Sequence, residues 1–241
     1  MKKNIISSHK LTIIIPIFNE ERTILKLLEK IENQGFIRKQ IILVDDFSSD
    51  NSLKKIKEYK FKSEYKIICH KKNLGKGSCI ISAKPFANGD IIIIQDADLE
   101  YSPNDYKKLI KPIINKNFNV VYGSRVLGRD RYNNKNFSSV GRIFFNHILT
   151  IFSNIINNQN LTDAHTCYKV FEKKVFKNLK LEQKRFSFCP EVTTKLSKKK
   201  IIIKEVPISY YGRSYNEGKK ISYIDGLDAI YNLIKYRYFK K

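Results

Sequence analysis

The sequence predicts an α/β fold, in which helices cover both faces of a mostly parallel β-sheet. Short continuous apolar segments alternate with amphipathic segments along the first half of the chain, at intervals of roughly 25 residues. A strand covered on both faces needs a continuous apolar run, whereas a surface helix shows apolar residues at helical spacing. Of the 241 residues, 42% are hydrophobic, which is enough for a buried core and excludes a disordered chain.

Five apolar runs predict strands in the first half of the chain, at 11–16, 40–46, 65–70, 90–98 and 119–125. Amphipathic segments between them predict helices at 20–33, 48–59, 78–87 and 102–113. In the first of these helices, apolar residues recur at helical spacing, namely Ile24, Leu27, Leu28 and Ile31. Ser and Asp residues before the second helix, and Pro103 in the fourth, are typical of helix starts.

The second half of the chain predicts a helix with an unusually wide apolar face at 140–157, strands at 167–171 and 201–211, and a helix at 190–199. A Tyr- and Lys-rich amphipathic helix is predicted at 221–239. We expect three parts: an N-terminal tail (1–10), a single domain (11–211), and a basic loop with the C-terminal helix (212–241).

The composition is strongly basic, with 46 Lys and Arg residues against 23 Asp and Glu residues and a net charge of +23. Such a surplus attracts an anionic partner: nucleic acid, a phospholipid surface or a phosphorylated substrate. A basic nucleic-acid-binding protein is the remote alternative, because no helix-turn-helix, RRM or zinc-finger signature is present. We expect no nucleic-acid partner.

Cysteine spacing and hydropathy indicate the compartment. The four cysteines lie far apart without a CxxC pair, which argues against a zinc ribbon and a disulfide framework. No apolar run reaches the roughly 18 residues of a membrane span, and no secretory signal is visible. We therefore expect a cytoplasmic protein.

Acidic residues follow three of the predicted strands. Glu20 follows the first strand next to Asn19; Asp45 and Asp46 end the second; Asp96 and Asp98 end the fourth. In an open parallel sheet, ligands bind beyond the carboxyl ends of the strands. On a strand, Asp96 and Asp98 would point to the same face, and two adjacent carboxylates attract a hard divalent cation. One such pair could merely cap a helix, but three acidic strand ends favour a site for Mg2+ or Mn2+ with open positions for a diphosphate.

Basic residues in nearby loops would help to neutralise a diphosphate. The candidates are Lys76 in NLGKG, Arg125 in GSR and Arg213 in YYGRSYNEGKK, and Gly75 and Gly77 would let the backbone approach a ligand. Neither GxxxxGK[ST] nor GxGxxG occurs, which argues against a P-loop and a dinucleotide cofactor.

Five segments, in this order, carry a family resemblance: LTIIIPIFNEE, IILVDDFSSDNS, NLGKG, IIIIQDADLEY and VVYGSR. They resemble the family 2 glycosyltransferases with the GT-A fold, and most closely the branch of dolichyl-phosphate and polyprenyl-phosphate mannosyl- and glucosyltransferases. LTDAHTCYKVFEKKVF and ISYYGRSYNEGKKISYIDGLDAI are similar to later motifs of that branch, so the resemblance spans roughly residues 11–230. The collinear combination is more specific than any single motif.

The resemblance implies a role for several individual positions. Those implied to bind the nucleotide are Pro16, Asn19, Glu20, Asp45 and Asp46. Asp96 and Asp98 match the DxD motif that binds the metal and the donor diphosphate, with Glu100 as a further metal-side candidate. Arg125 matches an arginine near the phosphates, Arg142 a residue that binds the acceptor phosphate, and Arg213 with Lys220 a basic loop that closes over the donor. Asp163 resembles an acceptor-side or a structural acid.

The implied reaction is an inverting, metal-dependent transfer of a hexose from a nucleotide sugar of the GDP-mannose or UDP-glucose type to a polyprenyl phosphate. An anionic lipid phosphate needs no strong general base. The alternative acceptor, a hydroxyl of a cell-envelope glycan or other glycoconjugate, would need one. Glu191 lies in the region that resembles the position of that base, but an acid favoured at a helix N-terminus is the preferred interpretation of Glu191. Phe47 and Cys167 depart from the usual family residues, which leaves the identity of the donor open.

The predicted helices at 140–157 and 221–239 bear on membrane contact. The first includes polar residues such as Asn146 and Thr150, which argues against a span and fits either core packing or the membrane interface. The second ends in YNLIKYRYFKK, a combination of tyrosines and basic residues suited to an anionic leaflet. We expect peripheral attachment to the inner face of the cytoplasmic membrane, directly or through a membrane-anchoring subunit.

Overall fold

A computed structural model describes residues 8–128, 140–185, 187–213 and 223–240 of the chain. Within these ranges the strands are β1 (Lys10–Ile17), β2 (Arg38–Asp45), β3 (Glu64–Cys69), β4 (Ile91–Ile94), β5 (Val120–Ser124), β6 (Lys169–Glu172) and β7 (Ile203–Pro207). The α-helices are α1 (Ile24–Glu32), α2 (Ser52–Glu58), α3 (Lys76–Ala83), α4 (Tyr106–Ile114), α5 (Val140–Asn157), α6 (Lys173–Asn178), α7 (Phe188–Lys198) and α8 (Tyr223–Ile234). A π-helical turn, Lys235–Phe239, extends α8.

The strands form one seven-stranded sheet in the order β3-β2-β1-β4-β6-β5-β7. Six strands run parallel to a neighbour, four along the ladder β3-β2-β1-β4 and two in the pair β5-β7, whereas β6 is antiparallel to both β4 and β5. The predicted mostly parallel sheet with helices is therefore confirmed. The antiparallel insertion of β6 was not predicted, because strand direction leaves no mark on a short apolar run.

The continuous apolar runs of the central strands are buried because helices cover the sheet. For example, Ile13 of β1 is fully buried, and so are the two residues that it pairs with in the neighbouring strands, Ile41 of β2 and Ile93 of β4. The helical spacing predicted for the first helix is likewise matched by burial of Ile24, Leu27, Leu28 and Ile31 in α1. Full burial of each such side chain is worth about 1.5–3 kcal/mol, so this periodicity is what fixes α1 on the sheet.

The predicted strand at 90–98 is too long, since β4 ends at Ile94. Gln95 is fully buried, and its Oε1 accepts hydrogen bonds from the hydroxyls of Tyr106 and Tyr168, both at 2.7 Å. After Gln95 the backbone turns, and Leu99 adopts a positive φ of 63°. Asp96 and Asp98 therefore lie in a loop, and the argument that strand pleating sends both to one face is wrong.

Other differences from the predicted elements are smaller. The helix predicted at 20–33 begins at Ile24, because residues 20–23 form a turn closed by the Glu20 carbonyl. The strand predicted at 201–211 shortens to β7, which ends at Pro207, a residue without a backbone N–H to donate. The short helix α6 was not predicted. Among the helices in the described ranges, none is long and apolar enough to cross a membrane.

Candidate active site

The loops that follow β1 and β2 are hydrogen bonded to each other at the carboxyl edge of the sheet. Asn19 donates its backbone N–H to Ser48 Oγ (3.0 Å), and its Oδ1 accepts from the Ser49 N–H (2.8 Å). Asn19 and Phe47 both have positive φ, 53° and 65°, in the left-handed region that costs a non-glycine residue about 1–2 kcal/mol. The cross-linked loops hold this conformation, and Phe47 is left exposed at the rim.

The two neighbouring acids at the end of β2 have different surroundings. Asp46 accepts hydrogen bonds from His70 Nδ1 and from the backbone N–H groups of Leu74 and Gly75, at 2.7–2.9 Å, so it fixes the NLGKG loop. Asp45 accepts from the Ser48 N–H through Oδ2, whereas its Oδ1 is buried without a hydrogen-bond partner among the described residues. A buried carboxylate oxygen is costly to leave unpaired, so Asp45 is the acid of this pair suited to receive a ligand's N–H.

Asp46, His70 and Cys79 are the one group in the described ranges whose potential metal-ligand atoms all lie within 4.8 Å of one another. His70 is already bonded at both ring nitrogens, to Asp46 and to Ser82 Oγ (2.9 Å). Burial raises the pKa of the Cys79 thiol, which keeps it protonated and therefore a poor metal ligand. His70 therefore has an ordinary hydrogen-bonded role in this geometry.

Lys76, at the start of α3, lies between Asp96 and Cys167. Its Nζ is 2.5 Å from Asp96 Oδ1 and 3.2 Å from Cys167 Sγ. Burial alone would lower the pKa of Lys76, but the charge of Asp96 holds it above the usual value. The lysine therefore stays charged beside this aspartate.

The glycines on either side of Lys76 have a packing role. A Cβ on Gly75, whose φ is +91°, would lie 2.7 Å from the carbonyl oxygen of Lys184, and one on Gly77 would lie 2.0 Å from that of Gln183. The small size of both glycines thus lets the backbone at 183–185 pack against them. The sequence had predicted close approach of a ligand at these glycines instead.

Arg213 connects the loops after β1 and β4. Its Nη1 and Nη2 bind the two carboxylate oxygens of Glu20, each at 3.1 Å, and Nη2 also lies 3.1 Å from Asp98 Oδ2. Glu100 supports this arrangement: it accepts hydrogen bonds from the Arg213 backbone N–H and from the Tyr210 hydroxyl, both at 2.8 Å. Asp98 and Glu20 are thereby joined through one guanidinium, while Glu100 positions the segment that carries it.

Asp98 carries the most perturbed carboxyl group at this edge. Its burial, followed by the negative charges of Asp96 and Glu100, raises its pKa to about 7, and Arg213 offsets part of that shift. A carboxyl group that binds a proton this readily also binds another cation readily, because both relieve the same desolvation and repulsion.

Arg125 and Asp163 form a buried, bidentate ion pair. Arg125 Nε and Nη2 lie 2.7 and 2.8 Å from the two oxygens of Asp163, whose Oδ2 also accepts the Arg125 backbone N–H. Burial alone would raise the pKa of Asp163, but Arg125 holds it below its usual value. Glu205 accepts the N–H groups of Thr162 and Asp163, at 2.7 and 2.9 Å, and so fixes the loop that presents Asp163.

Glu191 is fully buried near the start of α7, and both of its oxygens are occupied. They accept the backbone N–H groups of Glu182 (2.8 Å) and Gln183 (2.9 Å), and Lys195 Nζ lies 2.6 Å away. These contacts anchor the segment that packs on Gly75 and Gly77.

Of the other sequence-derived candidates, Pro16 lies in β1 opposite Val44. Lys220 and the side chain of Arg142 lie outside what the structure describes. Two residues in the site region had been missed. Tyr210 lies under Arg125, with its ring centre 5.2 Å from the guanidinium carbon, and fully buried Lys169 donates to the carbonyls of Ala164 (3.1 Å) and Thr166 (2.6 Å). The abundance of Tyr and Lys in this chain left neither with a distinguishing signal.

The residues at this edge fit a divalent metal. Asp96 and Asp98 supply the hard oxygen ligands that Mg2+ and Mn2+ prefer. Each already has a basic side chain at salt-bridge distance, Lys76 and Arg213 respectively, which shows that positive charge is stabilised there. Two carboxylates leave coordination positions for phosphate oxygens.

Comparison with known proteins adds to the geometry. The family model "Glycosyl transferase family 2" matches residues 12–180. The chain is 30% identical to the UDP-N-acetylglucosamine–dolichyl-phosphate N-acetylglucosaminyltransferase of Methanococcus voltae, over 92% of this chain and 94% of that protein. It is 29% identical to a dolichol-phosphate mannosyltransferase of Pyrococcus furiosus, over 94% and 64%.

A solved structure shows the same fold. It is glucosyl-3-phosphoglycerate synthase from Mycobacterium tuberculosis in complex with Mn2+ and UDP-glucose, with a TM-score of 0.70 and 13% identity over 95% of this chain and 79% of that one.

Proposed function

The chain belongs to glycosyl transferase family 2 and is a glycosyltransferase, and from that premise we propose that it moves a hexose from a nucleotide sugar to a polyprenyl phosphate. One observation carries this proposal: Asp96 and Asp98 lie beside Lys76 and Arg213, on the same edge as the unpaired buried oxygen of Asp45. A nucleotide-sugar site has three requirements: carboxylates that bind a metal, basic side chains that bind the diphosphate, and a hydrogen-bond acceptor for the nucleobase.

The base of the nucleotide would meet Asp45. Oδ1 of Asp45 lacks a donor among the described residues, and both uracil and guanine present a ring N–H that can fill this position. This feature favours a nucleotide without choosing between UDP and GDP, so the GDP-mannose and UDP-glucose types of donor are both retained.

The leaving diphosphate would be bound by the acidic loop and its cations. Asp96 and Asp98 would hold Mg2+ or Mn2+, which supplies charge neutralisation to the diphosphate when bound. Arg213 Nε is buried without a partner among the described residues, so this guanidinium keeps a donor for a phosphate oxygen. Lys76 adds a second positive charge at the same edge, and Glu100 supports the Arg213 backbone.

The class of sugar acceptor is inferred from the hydrogen bonds that already occupy the two candidate acids on the acceptor side. Both oxygens of Glu191 and both oxygens of Asp163 are engaged in hydrogen bonds, so neither is placed to take a proton from an attacking hydroxyl. A phosphate monoester is anionic at pH 7 and attacks without a base. Attack on the anomeric carbon from the face opposite the leaving diphosphate would invert its configuration. A hydroxyl of a glycan remains the second candidate, and it would need a general base other than Glu191 and Asp163 in these contacts.

Relatives with named lipid acceptors support the same acceptor class. The names of the Methanococcus voltae and Pyrococcus furiosus proteins state dolichyl phosphate and dolichol phosphate for those enzymes. A polyprenyl chain partitions into a bilayer, so we place the reaction at a membrane surface and, because nucleotide sugars are cytoplasmic metabolites, on its inner face. A membrane-anchoring subunit could serve instead of direct contact with lipid.

The test is release of nucleoside diphosphate from a panel of UDP- and GDP-sugars with Mg2+ or Mn2+. Each donor is assayed with a polyprenyl phosphate, with the matching polyprenol that lacks the phosphate, and with no lipid. We expect release that needs the lipid phosphate and is lost in Asp98→Ala. Equal release with polyprenol would contradict a phosphate acceptor, and release from no donor would contradict the proposal as a whole.

A further inference from the structure

Among the residues that the structure describes, the large apolar side chains that are exposed are concentrated on two helices. Ten of them lie on α5 or on α8 with its π-helical turn: Phe144, Ile148, Ile151, Phe152, Ile155, Leu227, Tyr231, Ile234, Tyr238 and Phe239. We call this set the α5/α8 face. The two helices are neighbours, because Gly226 of α8 lies so close to the Phe145 ring that a Cβ there would be 2.2 Å from it.

Each helix carries its exposed apolar residues as a regular stripe. On α5, Phe144, Ile148, Ile151 and Ile155 follow one another at intervals of four, three and four residues. On the C-terminal helix, Leu227, Tyr231, Ile234 and Tyr238 repeat the same intervals. This spacing lines side chains along one side of a helix, and here that side is exposed rather than packed on the core.

The charge distribution separates this surface from the rest of the molecule. Charged residues make up 29% of the chain, yet 143–157 contains no Lys, Arg, Asp or Glu. Basic residues gather at the end of the C-terminal helix, where Lys235 and Arg237 lie on the π-helical turn and Lys240 follows it. Lys198 adds a fourth basic residue there, because its Nζ donates to the carbonyls of Tyr236 (3.0 Å) and Lys240 (2.6 Å). The surface therefore has an apolar centre and a basic end.

We propose that the α5/α8 face docks on the surface of a bilayer that contains anionic lipid, with its apolar stripes in the interface and its basic end at the headgroups. A bilayer surface suits both parts of the face, because burial of the apolar side chains and attraction of the basic residues to an anionic leaflet act together. A second copy of the chain suits it less, since two molecules of charge +23 repel each other.

The docking face is connected to the candidate active site through Asn154. Its Nδ2 donates to the Leu161 carbonyl (2.8 Å), and its Oδ1 accepts the Leu161 N–H (3.0 Å). Leu161 starts the loop that presents Asp163 to Arg125. A bilayer in contact with α5 would thus lie beside the loop expected to face a lipid acceptor. The inference deepens the proposed function and rests on it only for this last step.

The test is cosedimentation with vesicles, without donor or acceptor, so that docking can fail or succeed independently of catalysis. Vesicles of phosphatidylcholine alone are compared with vesicles of phosphatidylcholine and phosphatidylglycerol in equal parts, at low and moderate salt. Wild-type protein is expected to sediment with the anionic vesicles and much less with the neutral ones. Ile151→Ser with Ile155→Ser is expected to weaken binding by about tenfold or more, because two apolar side chains lose their burial.

Ile202 offers a matched control, because it lies outside the α5/α8 face and is as exposed as Ile155 (72% and 73% respectively). Ile202→Ser should bind vesicles like wild type, and all variants should keep the wild-type circular dichroism and melting temperature. Wild-type protein that stays in the supernatant, or an Ile151/Ile155 variant that still binds fully, would overturn the proposal. A lipid-free dimer that the double variant dissociates would assign the face to a second copy instead.

Discussion

Arg213 Nη2 lies 3.1 Å from Oδ2 of Asp98, so the carboxylate offered to a divalent metal already has a cation beside it. The same guanidinium binds both carboxylate oxygens of Glu20. Burial alone would lower the pKa of Arg213, but the charge of Asp98, followed by Glu20, raises it above the usual value. Asp98 is therefore balanced electrostatically by a side chain, and a metal that bound Asp98 would have to compete with that side chain.

Removing this competitor should strengthen metal binding in the absence of nucleotide. Arg213→Gln is expected to bind Mn2+ about tenfold more tightly than wild type, since a charge-assisted contact to Asp98 is worth about 1.5 kcal/mol. Titration of free Mn2+ by electron paramagnetic resonance measures this. Arg38→Gln, which removes the same charge from an exposed arginine in β2, should leave the affinity unchanged. Equal or weaker binding by Arg213→Gln would show that the guanidinium does not oppose the metal.

Asp163→Asn should destabilise the fold strongly. The substitution leaves the buried Arg125 guanidinium without its counter-charge, and breaking a buried pair typically costs about 3–5 kcal/mol. Urea unfolding measures the loss. In a double-mutant cycle, Asp163→Asn with Arg125→Met should lose less than the sum of the single losses. Additive losses would contradict direct coupling between the two side chains.

The raised pKa of Asp98 predicts a pH dependence of stability in metal-free protein. Between an unfolded-state pKa near 3.8 and the folded-state value of about 7, the folded protein holds a proton that the unfolded chain has released. The free energy of unfolding contributed by Asp98 is therefore full below about pH 4 and declines as pH rises to about 7. Asp98→Asn should lack this decline, measured by urea unfolding in EDTA from pH 4 to pH 8. Parallel curves for the two proteins would contradict the shift.

Glu191→Gln separates a structural role from a catalytic one. The loss of one acceptor for Lys195 and the 182–183 backbone should lower the free energy of unfolding by about 1–3 kcal/mol. Because a lipid phosphate needs no base, turnover per folded molecule should fall far less than the roughly 100-fold expected for loss of a general base. A 100-fold loss of turnover in a fully stable variant would return Glu191 to the chemistry and favour a hydroxyl acceptor.

The sequence predicted the sheet and the helices well because both are encoded by apolar periodicity, as in α1 and β1. It failed at β4, where the strand ends one residue before Gln95, because Gln95 is held by the hydroxyls of Tyr106 and Tyr168, distant contacts that no local pattern reveals. The acids lie at or just after the ends of β1, β2 and β4, where the strand ends predicted them, and their role in a site stays a prediction. Which acid is open and which is structural was not predictable, since Asp45 and Asp46 differ only in the groups that the fold brings to them.

The sequence also did not predict which basic residue pairs with which acid. Lys76 and Arg213 had been selected as basic residues near a diphosphate, but their pairing with Asp96 and Asp98 depends on loops that are far apart in the chain. Arg125 had been expected near the phosphates, and its bidentate contact with Asp163 assigns it to loop organisation as well. Long-range pairs of this kind depend on sheet order, which a single sequence does not specify.

The central claim is transfer of a hexose onto a polyprenyl phosphate, and mass spectrometry of the recovered lipid tests it most directly. The protein is incubated with the donor that gave release, a divalent metal and the polyprenyl phosphate, and the lipid is extracted into organic solvent. The account predicts a lipid whose mass has increased by one hexose residue and which is absent with Asp98→Ala. An unchanged lipid, with the sugar recovered on a glycan, a protein or water, would contradict it.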